Sequence, residues 1–212
     1  MSGIIILIPS YNEIKSLRKI LIFLKKRYKI LVIDDGSTDG TSQFLKESKV
    51  SHIINKGNKG YTFSLIRGIN FVKKNWKFDY ILTLDADGEH KLNYIKIIID
   101  KIKNKNLDLV IGNRNNKNRI SEIMLSKYAN NKYGIEDPLS GFKIYKSLYL
   151  YKYINRINDQ KFMVDLLAIY LKNNLKVENI QIITNKIKDR QSKIGSGIVN
   201  NIKMLFLLKD LV

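Results

Sequence analysis

Ile4-Ile5-Ile6-Leu7-Ile8, continuing without a break into Pro9-Ser10-Tyr11-Asn12-Glu13, decides the fold class. The first five residues read as a buried strand, and the polar residues after Pro9 read as the turn that ends it. Ile14, Leu17, Ile20, Leu21 and Leu24 then recur at helical spacing through about Lys26, and Lys29 to Ile33 is a second apolar strand. Strand, helix, strand in some thirty residues is the pattern of a βαβ unit and hence of a parallel sheet.

The same alternation runs on. The turn-rich Asp34 to Gly40 precedes a short helix to about Ser48, a weak strand at Ser51 to Asn55 and a Gly57-Asn58-Lys59-Gly60 turn. A helix from Tyr61 to about Lys74, a strand at Tyr80 to Leu84, a helix at Leu92 to Lys103 and a strand at Leu107 to Ile111 follow. Beyond these the pattern loosens. Expected there are a helix at Ser121 to Tyr133, a loop at Glu136 to Gly141, a short strand at Phe142 to Tyr145, a helix around Phe162 to Lys172 and a strand at Val177 to Ile183. Lys186 to Gly197 is polar, basic and Gly-containing and reads as a mobile loop, and Ile198 to Leu211 as an amphipathic terminal helix. No repeat or low-complexity linker divides the 212 residues, so one domain is expected.

In parallel sheets ligands bind beyond the carboxyl ends of the strands. Three of those ends are polar: Ser10 to Glu13, Asp34-Asp35-Gly36-Ser37, and Asp85-Ala86-Asp87-Gly88-Glu89. Singly each has a structural explanation; Ser10 and Glu13 fit a capping box, and Asp34 to Asp39 fits a turn with a helix cap. Together, Asp34, Asp35, Asp85, Asp87 and Glu89 would crowd one edge of the sheet, which is costly unless a cation or hydrogen-bond donors neutralise them. The alternation Asp85, Asp87, Glu89 can aim several oxygens at one hard divalent ion and leave room for a substrate's phosphates.

Composition narrows the field. The chain carries 38 Lys plus Arg against 19 Asp plus Glu, a formal charge of +19, with 44% hydrophobic residues, enough for a core. A basic surface attracts polyanions, but 31 of the basic residues are Lys and only seven Arg, a poor match to base recognition, and acidic strand ends would repel a nucleic-acid backbone. A compositional bias toward Lys, Ile and Asn explains part of the excess equally well. With no Cys and two His, disulfide scaffolds, thiol catalysis and Cys or multi-His zinc sites are excluded. No G-x-x-x-x-G-K-S/T occurs, Gly57 to Gly60 is not G-x-G-x-x-G, and the EF-hand positions counted from Asp85 hold His90 and Lys96 where Gly and Glu belong. A Ser-His-Asp triad is poorly supported too, since His52 falls in an expected strand and His90 beside the acidic cluster. With no signal peptide or spanning segment visible, the expectation is a cytoplasmic protein, at most lying on the cytoplasmic face of a membrane.

Pro9-Ser10-Tyr11-Asn12-Glu13, Ile33-Asp34-Asp35-Gly36-Ser37-Thr38-Asp39 and Asp85-Ala86-Asp87, in this order and spacing, resemble the signatures of glycosyltransferase family 2. The likeness is greatest to the dolichyl-phosphate and polyprenyl-phosphate mannosyl- and glucosyltransferases. It continues through Gly112-Asn113-Arg114, Asp137-Pro138-Leu139-Ser140-Gly141-Phe142-Lys143 and Arg190-Gln191-Ser192-Lys193. The resemblance implies the GT-A fold, an α/β architecture with a Rossmann-like, mostly parallel sheet flanked by helices on both faces. Residues 1–112 would bind the nucleotide sugar, 113–197 the acceptor, and 198–212 would form the terminal helix, which packs on the sheet or meets a membrane surface.

The resemblance also implies roles. Pro9, Tyr11, Glu13, Ile33 and Asp35 would hold the base and ribose of a nucleotide-sugar donor, with Asp85 and Ala86 continuing that contact. Asp85, Asp87 and Glu89 would bind Mg²⁺ or Mn²⁺ across the diphosphate; Glu89 stands where these enzymes usually carry Gln and keeps an oxygen ligand. Arg114, Arg190 and Lys193 would face phosphates, and Lys143, in place of the usual Arg, the phosphate of the acceptor. Such enzymes invert the anomeric carbon in one displacement. A polyprenyl-phosphate acceptor needs little base assistance, whereas the hydroxyl of a glycan acceptor needs a carboxylate, for which Asp137 is the first candidate and Asp165 the second.

Overall fold

The computed structural model describes residues 3–115, 120–157 and 162–185. In chain order these form β1 (Ile4–Ser10), α1 (Ile14–Leu24), β2 (Lys29–Asp34), α2 (Thr41–Glu47), β3 (Ser51–Ile54), α3 (Tyr61–Asn75), β4 (Tyr80–Thr83) and α4 (Tyr94–Asn104). There follow β5 (Leu109–Arg114), α5 (Ile120–Tyr133), β6 (Lys143–Lys146), α6 (Ser147–Tyr153), a 3-10 turn (Ile154–Arg156), α7 (Phe162–Lys172) and β7 (Val177–Ile182). The strands make one seven-stranded sheet in the order β3-β2-β1-β4-β6-β5-β7. All neighbours pair in parallel except β6, which runs antiparallel to both β4 and β5.

The alternation of strand side chains sorts the core into two layers. Ile5 and Leu7 of β1 join Leu31 and Ile33 of β2 under α3, α5, α6 and α7. Ile6 and Ile8 join Ile30 and Val32 under the stripe Leu17, Ile20, Leu21, Leu24 of α1, Leu45 of α2, and Ile95, Ile98, Ile99, Ile102 of α4. A strand apolar at every position is therefore covered on both faces, as parallel sheets require. Each such fully buried aliphatic side chain contributes about 1.5–3 kcal/mol. Among the described residues no helix is long and apolar enough to cross a membrane.

Three expectations are corrected. The strand expected at Leu107 to Ile111 begins at Leu109 and runs on through Gly112-Asn113-Arg114, because β7 pairs in register with all six residues, Arg114 opposite Ile182. Gly and Asn disfavour strands on their own, and the partner overrides them. Ser147–Tyr153, read as no element, is helical; it buries Leu150 and Tyr153 one turn apart. Ser10 is no helix cap: it is the last residue of β1, 3% exposed, and the first amide of α1, from Ile14, is donated to Asp39 Oδ2 at 3.0 Å. The loop expected at Lys186 to Gly197 and the helix at Ile198 to Leu211 lie outside the described residues.

The reversal of β6 positions the site. β1 and β2 end level, Ser10 opposite Asp34, and the chain leaving β4 after Thr83 emerges at the same edge. Because β6 runs the other way, it begins there, with Lys143 opposite Thr83 on one side and Ile111 on the other. The segment 134–142 is thereby delivered to the edge where the acidic strand ends lie.

Candidate active site

The loops after β1 and β2 are zipped together. Asn12, at φ 54°, donates its amide to Ser37 Oγ at 2.9 Å, and its Oδ1 accepts the Thr38 amide at 2.8 Å. Asp34 has no exposed surface and accepts the Ser37 amide at 3.1 Å and the Ser42 hydroxyl. Asp39, one residue before the Gly40 cap position of α2, accepts the Thr41 amide at 3.0 Å and its hydroxyl at 2.6 Å. Partial burial raises the Asp39 pKa, but the hydrogen bonds from Thr41 and Ile14 outweigh it and hold the carboxyl below its usual range.

Asp35 is 4% exposed. Its Oδ1 accepts from Asn55 Nδ2 at 2.6 Å and the Lys59 amide at 3.0 Å, and its Oδ2 from the Gly60 amide at 2.7 Å. Asn55 in turn donates to Ser64 Oγ at 2.9 Å and accepts from Arg67. Asp35 therefore anchors the Gly57–Gly60 turn and the start of α3 from across the sheet edge. Of the five carboxylates expected to crowd that edge, Asp34 and Asp35 are satisfied by hydrogen-bond donors and need no cation. Pro9 is buried, and Tyr11 and Glu13 are partly exposed, with Glu13 Oε2 accepting the Ser16 hydroxyl at 3.1 Å. Ile33 and Ala86, expected against the nucleotide, are core residues at 0% and 4% exposure.

Asp85, Asp87 and Glu89 are each partly exposed on the loop that leaves β4. Asp87 Oδ1 accepts the Glu89 amide at 2.9 Å, which curls the loop. Asp85 Oδ2 lies 3.2 Å from Nε2 of His90, which is 3% exposed and stacked on the Phe142 ring, centroids 5.3 Å apart. Burial works to lower the His90 pKa, yet the hydrogen bond and charge of Asp85, aided by Asp87 and Glu89, raise it above its usual value. Burial, then the charge of Asp85, pushes the Tyr61 phenol at the start of α3 well above the ordinary tyrosine range. Among the described residues no group of three His, Cys, Asp or Glu gathers tightly enough to hold a metal by itself. The expected three-ligand set Asp85, Asp87, Glu89 is thus not assembled. What the loop offers is partly exposed carboxylate oxygen, and that donor set fits a Mg²⁺-like ion, which takes one or two carboxylates and fills its remaining positions with water and substrate phosphate.

The other half of the edge is built from ion pairs. Arg114, at the end of β5, grips Asp137 with both arms: Nε to Oδ2 at 2.8 Å and Nη2 to Oδ1 at 3.2 Å, with the Arg114 amide also 3.2 Å from Oδ2. Side-chain exposures are 15% and 2%. Burial works against the guanidinium's charge, but Asp137 outweighs it and holds Arg114 protonated. As a base Asp137 is poorly placed, since its carboxylate is buried and committed to a cation. Asp165 lies in the first turn of α7, whose Met163 Sδ is 3.9 Å from Lys143 Nζ, so that turn abuts the 137–143 segment. Lys143, expected to face the acceptor, is 1% exposed and donates to the Pro138 carbonyl at 2.7 Å. Burial, reinforced by Arg114, brings its pKa down to about 7 despite the opposing pull of Asp137 and Asp85. Arg190 and Lys193 lie outside the described residues; the chain approaches them from Asn185, whose amide donates to the Glu89 carbonyl at 2.8 Å.

Sequence reading passed over Tyr61, Asn55 and Arg67 as site residues. Tyr61 had a signal, being the first residue of a helix that follows a Gly-rich turn at a strand's end; the other two are set only by where α3 packs.

The profile of the family described as "Glycosyl transferase family 2" matches residues 5–157. The chain belongs to that family. This glycosyltransferase is 25% identical to the UDP-N-acetylglucosamine–dolichyl-phosphate N-acetylglucosaminyltransferase of Methanococcus voltae, over 97% of the chain and 94% of that protein. It is 26% identical to the dolichyl-phosphate β-glucosyltransferase of Saccharomyces cerevisiae, over 98% of the chain and 72% of that protein. Its fold is that of glucosyl-3-phosphoglycerate synthase from Mycobacterium tuberculosis, solved with Mn²⁺, UDP-glucose and phosphoglyceric acid: TM-score 0.74 at 13% identity, covering 99% of this chain and 80% of that one. The sheet is thus the GT-A sheet that the motifs implied, and this glycosyltransferase is an enzyme.

Proposed function

We propose that this enzyme moves a hexose from a nucleotide sugar, GDP-mannose or UDP-glucose, to a polyprenyl or dolichyl phosphate, with inversion at the anomeric carbon and with Mg²⁺ or Mn²⁺. The observation that carries this reading is the split edge of the sheet: an acidic loop, Asp85 to Glu89, on β4, and the Arg114 guanidinium on β5, within electrostatic reach of Glu89. The donor diphosphate needs the first, where one or two of the Asp85, Asp87 and Glu89 carboxylates would hold the cation, and an anionic acceptor needs the second, where the Arg114 side chain stays 15% exposed although it pairs with Asp137. Within one catalytic domain, residues 1–112 serve the donor and 113–197 the acceptor. Tyr11, Glu13 and the rim around Asp35 flank the donor's base and ribose, and Arg190 and Lys193 add phosphate contacts.

A divalent cation there neutralises charge on the departing nucleoside diphosphate. This chain's residues orient the reactants: Asp85 and Asp87 hold the donor side, and Arg114 faces the acceptor phosphate, an anion already nucleophilic at neutral pH. The commitment of Asp137 to Arg114 supports a phosphate acceptor over a glycan hydroxyl, which would need a free base. The named relatives above that use dolichyl phosphate support the same choice. A lipid phosphate would bring the chain to a membrane surface, on the cytoplasmic side, and no nucleic-acid partner is proposed.

The test is turnover of GDP-mannose, UDP-glucose and UDP-N-acetylglucosamine by the purified chain with Mn²⁺, with and without dolichyl phosphate in detergent. Transfer that requires the lipid phosphate is expected. Equal transfer to a soluble glycan without it overturns the acceptor.

A further inference from the structure

Asp85 is held from two sides by residues to which the proposed chemistry gives no task. On one side stands Gly141: a Cβ built there would lie 2.6 Å from Asp85 Cγ and overlap both carboxylate oxygens. The Gly141 carbonyl is itself fixed, accepting the buried Thr83 hydroxyl at 2.7 Å, so this backbone cannot back away without breaking its link to β4. On the other side stands His90, whose Nε2 meets Asp85 Oδ2 at 3.2 Å. The imidazole is walled in by the Phe142 ring, inclined to it by 28°. Phe142, with no exposed surface, lies so close to Gly112 of β5 that a Cβ there would strike its Cδ1. A chain of contacts thus runs from Gly112 through Phe142 and His90 to Asp85, while Gly141 closes the other flank.

We infer that His90 and Gly141 are positioning residues for the Asp85 carboxylate, forming a slot that allows it one orientation at the end of β4. The inference rests on the reading of Asp85 as part of the donor site. His90 supplies the directional contact, donating Nε2–H, and Gly141 supplies the absence of a side chain. Phe142 and Gly112 act at one remove by fixing the imidazole plane. Gly112 and the Gly141-Phe142 pair, far apart in sequence, thereby serve one carboxylate, and none of these residues need touch substrate. Groups that orient a ligating carboxylate cost about 10–100-fold in affinity or activity when removed.

The experiment is a double-mutant cycle on the full chain. Gly141→Ala and His90→Phe are each made in the wild type and in Asp85→Ala, and His90→Gln, which keeps a side-chain N–H, is made in the wild type. Two quantities are read: the urea midpoint without ligand, and Mn²⁺-dependent binding of UDP-glucose and GDP-mannose by calorimetry. In the wild-type background, Gly141→Ala and His90→Phe are expected to weaken donor binding about tenfold or more, with His90→Gln milder than His90→Phe. In Asp85→Ala, the carboxylate that the added methyl group would strike is gone, so Gly141→Ala is expected to leave the urea midpoint unchanged, and both substitutions to leave residual donor binding unchanged. Should Gly141→Ala alone fail to fold, recovery of folding in Asp85→Ala is the same result. Equal penalties for Gly141→Ala in both backgrounds overturn the inference, as does His90→Gln behaving no better than His90→Phe. If the wild type binds no nucleotide sugar at all, the donor reading fails, yet the urea cycle still decides whether Gly141 acts through Asp85.

Discussion

Asp35 and Asp137 are carboxylates at the same edge of one sheet, 4% and 1% exposed, and they are made tolerable in opposite ways. Asp35 accepts from two backbone amides and an asparagine, all neutral donors that bring no compensating charge. Asp137 is matched by the Arg114 guanidinium, so its charge is cancelled. The first half of the edge, with Asp34, Asp35, Asp39 and the Asp85–Glu89 loop, therefore stays acidic, as the proposed binding of a cation-bearing diphosphate requires. The second half pairs its carboxylate with Arg114, whose side chain is still 15% exposed, and buries Lys143.

The contrast breaks most visibly at Arg114. Arg114→Met strands a buried charge and should cost about 3–5 kcal/mol in urea unfolding, most of it regained in Arg114→Met/Asp137→Leu. A cost below about 1 kcal/mol would mean that Asp137 needs no partner. On the acidic side, Asp87→Ala should leave folding nearly intact but lower metal-dependent turnover by about a hundredfold, roughly 2.7 kcal/mol of barrier. Chelation of the wild type with EDTA, followed by the same assay, should give a loss at least as large.

Lys143 sharpens the comparison through pH. Its pKa falls from 10.5 to about 7 on folding. Between those values the unfolded chain holds a proton that the native chain lacks, so stability rises with pH across this window and is lost as pH falls toward 7. Unfolding of the wild type measured against Lys143→Met from about pH 7 to 9.5 should show a difference that grows by up to about 1.4 kcal/mol per pH unit in favour of the wild type. A flat difference would place the Lys143 ammonium in water. Smallest of all, Asp39→Ala removes the acceptor of the Thr41 and Ile14 amides at the starts of α2 and α1 and should cost about 1 kcal/mol of stability, with turnover falling far less than in Asp87→Ala.

Much of the donor half was legible because its determinants are local. A fully apolar run such as Ile4 to Ile8 has to be covered on both faces, and Asp, Gly and Ser after a strand have to turn; from these the βα units and the acidic strand ends follow. Legibility failed where a distant partner overruled local preference. Gly112-Asn113-Arg114 extends a strand only because β7 lies alongside, and Ser147–Tyr153 is helical although its alternating Tyr and Leu suggest nothing of the kind. The roles expected for Asp137 and Lys143 came from their place in a motif, and a motif says which residues are near the chemistry, not which of them are buried.

By itself, then, the sequence determined the βα alternation, the acidic ends of β1, β2 and β4 and membership in a glycosyltransferase family, because periodicity and turn chemistry act over a few residues. Only the tertiary structure decided that β6 runs backwards between β4 and β5. That one reversal brings residues 137–142 to the acidic edge, pairs Asp137 with Arg114 and sets Gly141 against Asp85. Strand direction within a sheet is chosen by the packing of the whole core, which no local run of residues encodes.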